Sequence, residues 1–385
     1  MALSSPPTFP WLLCVYCSQK LTLENDTQPT SHQTTTSLSD AMKVSCLHAL
    51  LVVAASLTAH ANADFSVGRG HTIKSATSKH VNYVKQWTLT AGANANSIGS
   101  IDLSLAGNAY VTYVSDLPSD VAGYVNVSGD SRATVNAVIV SKDVNNDLED
   151  DSDLDDLFDN DNDGNELNVW LNDKAASGYL LTEIFLASPE TVTDVKSQRS
   201  AHVVIEDGVL VTDGRKAELQ IEASGSSAVY VSAPDAPVSV GALSLDTTGS
   251  ASIEYNVKSV SVRSDLQLGA QGSSTIAVLS STVATRELEL EARKSASICF
   301  SAPEITAKRP QVIQGKTRIS MPNSFEMYGT TGSATCEESE LPARKAGKIA
   351  AASATGSTYT DTDDDLDVDD ALDNDNDLDD GNDLD

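Results

Sequence analysis

Residues Asp159-Asn160-Asp161-Asn162-Asp163-Gly164 place a carboxylate at every second position and then a glycine. An oxygen-ligand loop for Ca²⁺ begins this way: alternate acids turn inward, and glycine allows the sharp turn. The helix-flanked version closes its ligand set with a bidentate Glu at the twelfth position, where this chain has Trp170. Asp159, Asp161 and Asp163 are therefore candidates for a low-affinity Ca²⁺ site of the extracellular kind, the alternative being a plain charged loop. No other cofactor is expected. Gly129-Asp130-Ser131 is similar to a serine nucleophile turn, but Arg132 and Ala133 follow where such a turn needs glycines. The candidate bases downstream of residue 63 are His71, His80 and His202, too scattered for a catalytic pair or a zinc set. No catalytic residue is predicted, and the chain is not expected to be an enzyme.

The elements that must position such groups come from a repeat. LQIEASGSSAV from Leu219, LSLDTTGSASI from Leu243, LQLGAQGSSTI from Leu266 and LELEARKSASI from Leu288 align without gaps, 24, 23 and 22 residues apart. Leu-x-Leu is a short strand with alternate side chains on one face, the Gly-Ser run is a corner, and Val or Ile opens the next strand. A repeat this short cannot bury its apolar face alone, so successive copies must stack. The sequence predicts an all-β parallel solenoid with coils of about 22–24 residues and a rise of about 4.8 Å per coil. Leu219, Leu243, Leu266 and Leu288 should form one interior ladder, and Val229, Ile253, Ile276 and Ile298 another. Looser copies from Ile101, Val125 and Ser200 extend the predicted solenoid over residues 73–330, with an acidic insertion at 143–166 leaving one corner of a coil between Val140 and Val169.

Register then brings one column of cations together. Arg263 and Arg286 each lie 20 residues after their repeat's first Leu, and Lys308 has the same offset in the next copy. Stacked on one edge, the three would make a ridge for acidic glycans, or simply a solvated edge of alternating charge with Asp265 and Glu287 beside it.

Of the 55 acids, 12 fall in Asp143–Glu166 and 14 in Asp361–Asp385, so most of the net charge of −30 sits in two segments. Such blocks are expected to be solvated and disordered. The rest of the chain has no basic concentration, which argues against nucleic acid as a partner. Met42–Ala63 reads as a signal peptide: Lys43, an apolar run from Leu47 to Leu57, and Ala61-Asn62-Ala63 before a cut between Ala63 and Asp64. The run is too short to span a bilayer comfortably, so the mature form is expected to lack a membrane span. Residues 1–41 read as an upstream extension absent from the mature protein. Export leaves Cys299 and Cys336, an even pair in an oxidising compartment, and a bridge is predicted between them. Asn126-Val127-Ser128 is a glycosylation sequon. Residues 337–360 read as a flexible linker before the acidic tail 361–385.

The GSSAV, GSASI and GSSTI corners between Leu-x-Leu strands resemble the putative auto-transporter adhesin head GIN domain. The resemblance is clearest over Ser197–Ile305 and implies a β-helical, secreted or surface-exposed domain with an adhesion-like role and no catalytic residues. The acidic insertion, the tail and Lys294 at a corner glycine position depart from it. The sequence thus predicts a secreted or cell-surface adhesin-like or structural protein that binds extracellular polysaccharide or a surface protein. One alternative is a pectin-lyase-like carbohydrate-active enzyme, and another is an acidic, calcium-associated matrix protein.

Overall fold

The computed structural model describes residues 65–78, 80–92, 98–142, 165–172 and 176–350, all within the unit Thr58–Asp385. The predicted signal segment, the expected cleavage point between Ala63 and Asp64, Asp159, Asp161, Asp163 and the tail lie outside the described residues.

The chain opens with β1 (Ser66–Val67), β2 (His71–Ser78), β3 (Val81–Thr90), β4 (Ser100–Tyr113) and β5 (Val121–Gly129), then a helical turn α1 (Arg132–Asn136) and β6 (Val138–Lys142). There follow β7 (Glu166–Leu171), β8 (Gly178–Leu186), β9 (Asp194–Glu206) and β10 (Asp213–Ala223). The repeats supply β11 (Ala228–Thr247), β12 (Ser252–Val262), β13 (Asp265–Ala270), β14 (Thr275–Leu279), β15 (Thr282–Ala292), β16 (Ser297–Ser301) and β17 (Glu304–Gln314). Two short strands end the described chain, β18 (Ile319–Ser320) and β19 (Gly347–Ile349).

The repeats form a parallel β-solenoid of about five turns, as their spacing predicts. One coil runs through β13, a Gly-Ser corner, β14, a Ser-Ser corner and the start of β15, giving three faces. On the first face Leu219 pairs with Leu243, Leu243 with Leu266, and Leu266 with Leu288. On the second, Val229, Ile253, Ile276 and Ile298 pair in the same way. None of these eight is more than 2% exposed. Each contributes about 1.5–3 kcal/mol by leaving water, so two continuous apolar columns hold the coils in one register.

The corner between these faces explains the glycines. Gly225, Gly249 and Gly272 have φ of 72°, 75° and 88°. A Cβ on Gly249 would lie 2.8 Å from the Gly225 carbonyl oxygen, and one on Gly272 2.6 Å from that of Gly249. Left-handed backbone and close stacking of corner on corner both demand glycine. Lys294 accepts the same turn at φ 57° and Arg199 at 70°, so the corner geometry persists where the residue does not favour it.

Four expectations change in the structure. The stack does not follow chain order: β4 pairs in parallel with β9 on one side and with β7 and β8 on the other, which puts residues 166–186 before 100–113. The Val125 copy is not a coil, because β5 runs antiparallel to both β3 and β8. Only seven residues separate β4 from β5, enough for an antiparallel return but far short of a full circuit. With β1 and β2 also antiparallel to β3, residues 66–90 and 121–129 form an antiparallel end structure rather than the first coils. The acidic insertion joins a hairpin instead of leaving a coil corner, since β6 and β7 are antiparallel with Val140 opposite Val169.

The fourth change concerns residues 337–350, expected to be linker. Cys336 is bonded to Cys299 on β16, with Cα atoms 5.4 Å apart. From there the chain runs across the outside of the second face toward the first coils. Asn256 Nδ2 donates to Glu338 Oε1 at 2.9 Å, and the Ser339 amide donates to Glu254 Oε2 at 3.0 Å. Arg344 donates to Thr112 Oγ1 at 2.6 Å and Glu206 Oε1 at 2.9 Å, and lies over the Tyr110 ring. Tyr110 donates to the Pro342 carbonyl. Finally β19 pairs antiparallel with β8, and Ile349 is 2% exposed. Side-chain partners that are adjacent only in the stacked form keep this strap in place, so composition alone reads it as linker. Among the described residues, no helix is long and apolar enough to cross a membrane.

Candidate functional site

Strand alternation sends every second side chain of the first face outward, and parallel register stacks those side chains in columns. One column passes from Asn168 to Asp102, Lys196, Glu222, Asp246 and the bare Cα of Gly269. Asp102 is largely buried in it. Burial, reinforced by Glu166, Asp194 and Glu222 and opposed by Lys196, raises its pKa to about 6. The folded protein therefore holds that proton to higher pH than an unfolded chain would. Asp194 accepts from Ser100 Oγ at 3.1 Å and stands 3.9 Å from Lys196 Nζ.

Between this column and its neighbour lies a groove of about 270 Å³ whose polar side chains are Lys196, Gln198, Glu222, Ser224, Asp246 and Thr248. The framework orients both carboxylates. Gln220 Nε2 donates to Glu222 Oε1, and Ser244 Oγ donates to Asp246 Oδ2 at 2.6 Å. Burial raises the Asp246 pKa, the Ser244 hydrogen bond lowers it, and Glu291 adds a smaller upward push. The first-face strands carry Glu222 and Asp246 at one offset, third after Leu219 and Leu243. That period-two signal was present in the sequence, but it shows a site only once register places Lys196 and Gln198 beside it.

The predicted cation ridge occupies the corner between the third and first faces. Arg286 and Lys308 are flanked by the pairs Thr285–Ala307 and Glu287–Arg309, so they stand side by side. Arg263 sits where the offset between coils steps by one residue, between Ser261–Ala284 and Asp265–Glu287. All three are exposed. Glu287 draws on this ridge, bonded to Arg309 and 3.7 Å from Arg286 Nε. Arg215 and Lys216, whose backbones crowd Gly241 at the same corner, belong to this edge too. The irregular register between Gly214 and Glu218 hid them from a count of fixed offsets.

The remaining candidates are dispersed. Ser131 caps α1, its Oγ accepting from the Thr134 amide at 3.0 Å, and so is spent on structure. His80 stacks on Tyr179 with ring centroids 3.7 Å apart, His71 lies on β2 and His202 is exposed on β9. Among the described residues no group of three or more His, Cys, Asp or Glu is placed to hold a metal ion. Asn126 lies in β5, paired on both sides with Gln86 and Glu183, rather than in the exposed loop a glycan acceptor usually occupies.

The fold defines the class, an all-β protein built on a parallel solenoid. No protein-family model matches the chain, and no curated protein or solved structure matches it either.

Proposed function

We propose that this protein is a non-enzymatic, adhesin-like solenoid of the cell exterior that binds polysaccharide, in keeping with its resemblance to the adhesin head GIN domain. The observation that carries this reading is the arrangement of charge. Outward side chains run in single-file columns along long faces, about 4.8 Å apart, with Arg286 and Lys308 side by side on successive coils. Repeated groups at regular spacing suit an extended polymer, and that inference rests in part on analogy of fold. The Cys299–Cys336 bridge supports an oxidising compartment.

One observation favours the enzymatic alternative: Lys196 shares a groove with Glu222 and Asp246. A polysaccharide array of the exported protein, run with millimolar Ca²⁺ and with EDTA, separates the readings. Retention of intact polymer is expected. Release of shortened or unsaturated products would replace the adhesin with a lyase or hydrolase, and binding lost in EDTA would bring Asp159, Asp161 and Asp163 into the mechanism.

A further inference from the structure

We propose that the first-face groove is a subsite for one unit of a neutral, hydroxyl-rich glycan. This assignment rests on the polysaccharide reading above but moves the contact away from the cation ridge and reverses the charge preference. The groove's polar groups are not consumed by one another. Glu222 and Asp246 each have one oxygen held by a framework donor, and among the described residues no donor reaches their second oxygens. Among the described residues Gln198 has no hydrogen-bonded side-chain partner, nor do the hydroxyls of Ser224 and Thr248. Lys196 approaches Asp194 at 3.9 Å and acts on Asp102 through charge alone. Acceptors, donors and two-way hydroxyls thus face one space of about 270 Å³.

That volume falls just below the usual range of about 300–1,000 Å³ for small-molecule sites, enough for a single ring and not for a length of chain. Vicinal hydroxyls donate to a fixed carboxylate oxygen and accept from an ammonium or amide, which is the set on offer. The held oxygens of Glu222 and Asp246 reduce the ordering that binding would otherwise require. Charge excludes the acidic sugars: Glu222 and Asp246 line the groove, Asp102 lies one coil beyond Lys196 in the same column, and Lys196 is the lone cation in the lining. A uronate or sulfate entering there meets like charge. Trp170 shares the adjoining outward column through Ser104 and Gln198, two coil steps from the groove, where its ring offers a stacking surface for a later unit of the same chain.

The test is calorimetric titration of the full chain with neutral gluco- and manno-oligosaccharides and with oligogalacturonates. Binding of a neutral oligosaccharide is expected, weakened about tenfold or more by Asp246→Asn and again by Glu222→Gln, since each removes a charged acceptor. Both substitutions keep side-chain shape, and an unchanged melting curve shows that the coils are intact. Replacing Arg263, Arg286 and Lys308 together with Ser should leave neutral binding unaltered. Neutral binding insensitive to Asp246→Asn and Glu222→Gln would overturn the subsite. Binding of oligogalacturonate alone, lost in the ridge variant, would overturn it while leaving the polysaccharide reading standing. No binding of any glycan would remove both.

Discussion

The coils from Asp194 to Gln314 and the strap from Cys336 to Ile349 lie against each other but are held by different means. In the coils each residue meets its equivalent one repeat away, so Leu266 touches Leu243 and Leu288 and the same contact recurs along the stack. The strap repeats nothing. It is held by a disulfide at one end, antiparallel pairing with β8 at the other, and single contacts such as Ser339 to Glu254 and Arg344 to Glu206 between them. Redundant contacts make a rigid support whose charges keep their spacing, which is what the columns of the first face require. Non-redundant contacts make a fastening whose loss leaves the coils' own ladders in place.

The largest test of that difference is Leu266→Ala, which empties the middle of the ladder. A fully buried leucine at this position should cost about 3–4 kcal/mol, and because coils couple only to their neighbours the urea transition should broaden as the two halves separate. A sharp, nearly unshifted transition would mean the ladder is not the source of cohesion. Replacing Cys299 and Cys336 together with Ser should cost no more than that, about 2–4 kcal/mol for a 37-residue separation. Its signature should be local: faster hydrogen exchange at Gly347–Ile349, with β13 protected as before. Equal acceleration in both places would show the strap to be integral to the coils. The smallest effect is a gain. Lys294→Gly restores the residue that φ of 57° favours and should stabilise by about 1 kcal/mol, read as a rise in melting temperature.

Much of the coil stack was legible because its contacts are local in register. Four aligned repeats predicted both ladders residue by residue, and the Arg286–Lys308 juxtaposition followed from the same count. The antiparallel end was not legible. VNVSGDSRATV from Val125 alternates like a coil strand, and alternation does not reveal which way a neighbour runs. The groove was legible only in part. The offset of Glu222 and Asp246 is in the repeat, but Lys196 and Gln198 come from β9, where the Leu-x-Leu motif has faded.

The sequence by itself determined the coil: its length, its interior columns, its glycine corners and the cysteines available for a bridge. Each of these follows from side-chain volume and backbone freedom within one repeat and its neighbour. Tertiary structure alone decided that β7 and β8 precede β4 in the stack, that residues 337–350 bind the second face, and that Lys196, Glu222 and Asp246 share one groove. These depend on where distant segments come to rest, and burial of shared surface between them, not any local preference, selects that arrangement.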